Sequence, residues 1–188
     1  MISTANGFPV ITDGSSHLLH TWLIPTREGT LNLRLRRGSV GFLIAHYALW
    51  FADTIEPLIG RVTDDWGWAP LRPIRGYRDV SRETSGHARY RYSEHCGGRA
   101  ADLNATRHPL GRRGTFTALQ SARIRARLLI YRGCLRWGGD YRRRADEMHI
   151  ENVATIPASE RIARALLNSP RGRRLIAVNP SQKDVILS

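Results

Sequence analysis

The stretch "SEHCGGRAAD", Ser93 to Asp102, places a histidine and an aspartate seven positions apart, with two glycines between them and small alanines leading into the acid. Glycine adopts positive φ without steric cost, so Gly97 and Gly98 predict a tight turn just after His95. "RAADLN" then reads as a strand with Ala100 and Asp102 on one face, which leaves room beside the carboxylate. A turn feeding a short strand, rather than a strand feeding a long crossover helix, sets the expected fold class.

The flanking sequence agrees. From Ser39, "SVGFLIAHYALWFADTIEPLI" puts Phe42, Leu43, His46, Leu49, Trp50 and Asp53 at helical spacing, with Ser39 as N-cap and Pro57 near the stop. His46, on the apolar face, reads as a hydrogen-bonded core histidine. "DDWGWAPLRPIRGYRDV" reads as a loop entering a short strand near Ile74 to Val80, and "SRETSGHARYRY" as a polar connection. His87 and His108 fall in loops and are expected at a cleft rim or on the surface. "TFTALQSARIRARLLIYRGC" predicts a helix with Phe116, Leu119, Ala122, Ala126, Leu129 and Ile130 along one side; Ile124 and Leu128 fall outside that stripe, so a second face is also expected to be covered. "RWGGDYRRRADEMHIENV" carries a Gly-Gly turn and a strand from Met148. "ASERIARALLNSP" predicts a last helix, and "RRLIAVNPSQKDVILS" edge strands. Residues 1–37 suggest irregular structure or short strands wrapped on the body. Helices and short strands without βαβ alternation point to α+β. The 188 residues fit one domain, with a lead of residues 1–37, a core of 38–155, and a C-terminal helix and tail of 156–188.

Formal net charge is +13, and Lys183 is the single lysine, so the positive charge is almost entirely arginine. Such a surface is drawn to polyanions. No helix-turn-helix or aromatic-bearing binding strand accompanies it, so specific nucleic-acid recognition is not expected. Two cysteines, Cys96 and Cys134, make a disulfide framework improbable. The opening "MISTANGFPVITDGSSH" lacks a basic segment followed by an apolar run, and no window approaches the roughly 18 apolar residues of a membrane span. The expectation is synthesis in the cytoplasm, and release by some other agent if the protein works outside the membrane.

A catalytic zinc site needs three protein ligands and one open position, typically histidine nitrogens with a carboxylate oxygen. His95, Asp102 and His149 would supply that set. The third comes in "ADEMHIE", with Asp146 three residues before His149 and Glu151 two after it. A carboxylate beside such a site can take a proton from water and pass it to a leaving amine. Asp146 is the candidate and Glu147 its rival. Glu151 shares a strand face with His149 and could orient its imidazole. Cys96, next to a ligand, could coordinate as thiolate; a small packed residue is the simpler reading.

"SEHCGGRAAD" fits the S-x-H-x-x-G-x-A-x-D signature of the zinc D,D-peptidase and endolysin family, and "DEMHIE" resembles its second signature, D/E-x-x-H. The flanks "DDWGWAPLRPIRGYR", "DLNATRHPLG" and "WGGDYRRRADEMHIE" are similar to the L-alanyl-D-glutamate endopeptidase branch found in phage endolysins of actinobacterial hosts. The resemblance implies an α+β, Hedgehog/D,D-peptidase-like fold, with helices packed on a small antiparallel sheet that carries the zinc. It matches His95, Asp102 and His149 to the zinc ligands and Asp146 to the acid/base. Arg78 matches the arginine that stabilises the scissile carbonyl's developing charge, and Ser93 takes a supporting role, bonding substrate or a ligand loop. Arg99, at a variable position, could alter what enters the cleft. The implied activity is zinc-dependent cleavage of the L-Ala-D-Glu bond in peptidoglycan stem peptides, by a monomer held to anionic wall polymers through its charge. The alternatives are a D-Ala-D-Ala carboxypeptidase of the same fold, or a catalytically inactive basic protein that binds wall or nucleic acid.

Overall fold

Residues 3–58, 60, 64–70 and 92–188 are described in a computed structural model. The fold is α+β, as expected, with two small antiparallel sheets and five helices among the described residues.

The lead segment contributes a hairpin. Strands β1 (Leu19–Pro25) and β2 (Thr30–Arg36) pair from Leu19↔Arg36 to Pro25↔Thr30. "TLNLRLR" alternates strictly, so Leu31, Leu33 and Leu35 all point inward, joined from β1 by Trp22 and Ile24. Helix α1 (Ser39–Thr54) lies against this face and is buried along nearly its whole length. Gly41 lets the two meet, because a Cβ there would collide with the Arg36 carbonyl and the Trp22 indole nitrogen. Gly38, not Ser39, caps this helix, and the Ser39 hydroxyl has no partner among the described residues.

The second sheet has the order β3-β5-β4, formed by β3 (Ala100–Asp102), β4 (Leu135–Trp137) and β5 (His149–Asn152), all antiparallel. The Arg36 N–H donates to the Gly98 carbonyl at 2.7 Å, joining the hairpin to the turn before β3. Helix α2 (Ala118–Leu128) begins with a capping box between Thr117 and Gln120. Helices α3 (Ile156–Leu167), α4 (Pro170–Val178) and α5 (Ser181–Leu187) follow β5, and α3 and α4 pack on α1. The hydrophobic core runs continuously from Trp22 to Ile186.

Three further expectations are corrected. The tail forms α4 and α5 rather than edge strands: Ser169 caps α4 through the Gly172 N–H at 3.0 Å, Pro170 occupies its first turn, and Leu175 of α4 and Ile186 of α5 enter the core. The expected apolar stripe of α2 faces solvent beyond Phe116, which is buried, with Leu119 61 % and Leu129 77 % exposed, whereas the second face is covered as expected, Ile124 being buried and Leu128 packed partly against the core. Of the two glycines after His95, only Gly98 is left-handed (φ 65°). The Ile74 to Val80 strand lies outside the described residues. No helix among the described residues is long and apolar enough to cross a membrane.

Candidate metal centre

His95 sits in a single 3-10 turn, Glu94–Gly97, whose N-cap is Ser93: its hydroxyl accepts the His95 N–H at 3.3 Å. Gly98 ends that turn, and a Cβ there would come within 2.7 Å of Leu19 and 2.8 Å of the Arg36 nitrogen, so glycine is required by space as well as by φ. The chain then enters β3, where Asp102 stands directly opposite His149 of β5. Antiparallel register thus delivers the carboxylate and the second imidazole to one spot, and the turn swings His95 onto them.

The three donor atoms converge. His95 Nε2 lies 3.2 Å from Asp102 Oδ1 and 3.1 Å from His149 Nδ1, and His149 Nδ1 lies 2.9 Å from the same Asp102 oxygen. All three residues are buried. Their remaining nitrogens are oriented by other groups. His95 Nδ1 is 2.6 Å from the Gly67 carbonyl, which can only accept, so Nδ1 carries the proton and Nε2 presents its lone pair inward. His149 Nε2 faces Glu151 Oε2 at 3.7 Å, an ion-pair distance, leaving Nδ1 toward Asp102.

A divalent cation fits this set. Tetrahedral zinc with bonds of about 2.0–2.1 Å separates neighbouring ligand atoms by about 3.3 Å, close to the spacing found. The charge balance points the same way, since Asp102, Asp146 and Glu151 surround two imidazoles within a strongly basic protein. Burial works against a charged His149, yet hydrogen bonding to Asp102 and Glu151 and the nearby negative charges hold its pKa well above the ordinary value. Burial alone would raise Asp102, but the two imidazoles hold it well below the usual carboxylate range. The pocket thus calls for positive charge at the point where the donors meet.

Asp146 and Glu147 differ sharply. Asp146 closes the turn into β5, its backbone carbonyl accepting the His149 N–H at 3.1 Å. Its Oδ1 is buried without a hydrogen-bond partner among the described residues. Burial, reinforced by the Asp102 charge, raises its pKa against the pull of His149 and His95. Gly138 makes this packing possible, because a Cβ there would meet the Asp146 Cβ at 2.9 Å and the His149 Cβ at 3.1 Å. Glu147 is fully engaged elsewhere: it accepts the Gly114 and Thr115 N–H groups at 2.8 Å each and the Thr115 hydroxyl. These bonds outweigh burial and lower its pKa.

Glu151 lies behind His149, where Arg136 Nε and Nη2 donate to its Oε1 at 2.7 and 2.6 Å and the Tyr141 hydroxyl donates to the same oxygen. Burial opposes ionisation, but His149, Tyr141 and Arg136 bring its pKa down to about 2. Arg78 lies outside the described residues, as does His87. Cys96 is buried with its Sγ 3.7 Å from the Pro70 carbonyl, and neither cysteine forms a disulfide. Arg99 does not line a cleft: it is fully buried, bonded to Asn152 and the Ala154 carbonyl and stacked on Phe8. His108 is not at the surface either; it is buried between Thr115 and Glu56 and stacked on Phe116 at 3.7 Å.

Gly67, Arg136 and Tyr141 were not anticipated from sequence. Arg136 had a usable signal, since once residues 135–137 are placed beside β5 it stands directly across from Glu151. Gly67 acts through its carbonyl and had none.

No curated protein and no solved structure matches the chain. Residues 86–152, which contain His95, Asp102, Asp146 and His149, match the peptidase family described as D-alanyl-D-alanine carboxypeptidase.

Proposed function

We propose that this chain is a zinc-dependent peptidoglycan hydrolase that cuts the L-Ala-D-Glu bond of the stem peptide and serves as a phage endolysin acting on the host wall. The convergence of His95 Nε2, Asp102 Oδ1 and His149 Nδ1 carries the metal-dependent part of this reading. The family match over residues 86–152 supports peptide hydrolysis. The choice of bond and the phage role rest on the resemblance of the sequence motifs.

In this reading His95, Asp102 and His149 hold the ion. When bound, the cation supplies Lewis acidity, polarising a carbonyl and lowering the pKa of water to about 7. Asp146 takes the proton of the attacking water on Oδ1, which has no partner among the described residues, and delivers it to the leaving amine; its raised pKa suits both halves of that transfer. Glu151 holds the His149 ring, and Ser93 holds the turn that carries His95. Arg78 is assigned to the developing oxyanion, where a fixed guanidinium favours the transition state.

The second reading, D-Ala-D-Ala carboxypeptidase, is favoured by the description of the matched family. Mass spectrometry of digested cell wall, with and without a chelator, separates the two. A new D-glutamate amino terminus that vanishes on chelation is the expected result; free D-alanine would establish the carboxypeptidase, and chelator-resistant cleavage would remove the metal from the mechanism.

A further inference from the structure

The segment before the hairpin runs along the back of the metal-ligand cluster. Thr4 bridges to Tyr92, the Ala5 N–H donates to the Tyr92 carbonyl at 2.8 Å, and the Ile11 N–H donates to the Cys96 carbonyl at 2.8 Å. Trp68 Nε1 donates to the Ile11 carbonyl at 3.0 Å, and Phe8 lies under the Arg99 guanidinium, 3.6 Å from it. This strap lies outside the matched segment, residues 86–152.

Asn6 is the point of the strap that reaches the cluster. Its backbone N–H donates to Glu94 Oε1 at 2.9 Å, next to His95 in the ligand turn. Its side chain does two opposite things at once: Nδ2 donates to Glu151 Oε2 at 3.3 Å, and Oδ1 accepts from Arg136 Nη2 at 3.2 Å. The other Glu151 oxygen is taken by Arg136 and Tyr141, so Asn6 shares with His149 the oxygen that faces the imidazole. A carboxamide offers a donor to the carboxylate and an acceptor to the guanidinium from two separate atoms of one short side chain.

We propose that Asn6 is a positioning residue for the metal centre. By fixing Glu151 Oε2 it sets the orientation of His149 Nδ1, and it ties the β4-β5 pair to the turn bearing His95. The inference rests on the metal-site reading above. Partners that orient a ligand imidazole typically govern metal affinity by 10–100-fold.

The test measures Zn2+ affinity of the full chain by chelator competition and the visible spectrum of the Co2+-substituted protein, alongside the melting temperature of the metal-free form. Asn6→Ala is expected to weaken Zn2+ binding about tenfold or more and to alter the Co2+ spectrum, with little change in metal-free melting. Asn6→Asp, which is isosteric but turns a carboxylate oxygen toward Glu151, is expected to lose at least as much. Ser15→Ala, in the same strap but bonded among the described residues to Asp13 alone, should match the unaltered chain. Unchanged Zn2+ affinity in Asn6→Ala would overturn the proposal and leave the metal site standing. So would affinity and melting temperature falling together in both Asn6 variants, because Asn6 would then serve global stability. An unaltered chain that takes up no Zn2+ would remove the metal reading itself, and this inference with it.

Discussion

Asp146 and Glu147 are adjacent acids with different work, and their surroundings decide which. Glu147 spends both oxygens holding the 114–115 loop, whereas Asp146 keeps a buried oxygen with no partner among the described residues, close to the two imidazoles. Asp146→Asn preserves shape and removes the proton-carrying group. It is expected to retain Zn2+ while lowering wall hydrolysis by about 10²–10⁴-fold, the usual worth of a positioned acid/base. His149→Ala should lose Zn2+ and lysis together, and Glu147→Gln should hydrolyse wall while losing stability. Metal content and turbidity decrease of cell-wall suspensions check all three; normal lysis by Asp146→Asn would assign the base elsewhere. The His95, Asp102 and His149 set was legible in the sequence because "SEHCGGRAAD" and "DEMHIE" resemble two linked family signatures, with which the turn at Gly98 and the two-residue strand period agree. Their supports were not. Gly67 contributes a backbone carbonyl, and Asn6 meets Glu151 across 145 positions of chain, so no spacing rule reaches either.

Among the elements, α1 shows why a helix's neighbours matter as much as its own period. His46 was readable as a core histidine, but its partners come from the end of the α2 segment and the start of α4. Arg127 lies 3.3 Å from Nδ1 and can only donate, so Nδ1 accepts, and Nε2 carries the proton toward the Ser169 hydroxyl at 3.2 Å. The ring is therefore neutral. Burial, then the Arg127 and Arg171 charges, lower its pKa from 6.5 to about 3. The unfolded chain binds a proton between these values and the folded chain does not, so this contribution is full above about pH 6.5 and is lost as pH falls toward 3. The slope from this one group approaches about 1.4 kcal/mol per pH unit. Urea unfolding at pH 7 and pH 4.5 should show a smaller acid loss in His46→Gln than in the unaltered chain; equal losses would show that His46 does not drive acid sensitivity. The α2 stripe was misread because apolar residues occur around much of that helix, and no local rule chooses which side meets the core. The tail was misread because "RRLIAV" and "KDVILS" are short apolar runs whose helical state depends on the Ser169 cap and on packing against α1 and α3.

At the scale of the whole molecule, the net charge of +13 contrasts with the acidic centre. The chain around that centre is edged with arginine: Arg112, Arg113, Arg142, Arg143 and Arg144 are all exposed, and Arg113 donates to the Gly139 and Arg142 carbonyls, stitching the two arginine-bearing loops together. In the proposed reading, buried carboxylates draw the cation inward, while surface guanidinium groups draw a polyanion to the rim. If wall polymers are gathered by this long-range field, the attraction must be screened, since the Debye length falls from about 30 Å at 0.01 M salt to about 3 Å at 1 M. Sedimentation with purified wall should therefore show binding that falls roughly tenfold or more between low and high salt, in keeping with the ionic-strength dependence of steered association. Cleavage of a small soluble muropeptide, which needs no such gathering, should change little over the same range because its chemistry occurs among buried, poorly screened groups. Equal wall binding at both salt concentrations would mean that a surface recognising neutral parts of the wall, rather than charge, holds the enzyme to its substrate.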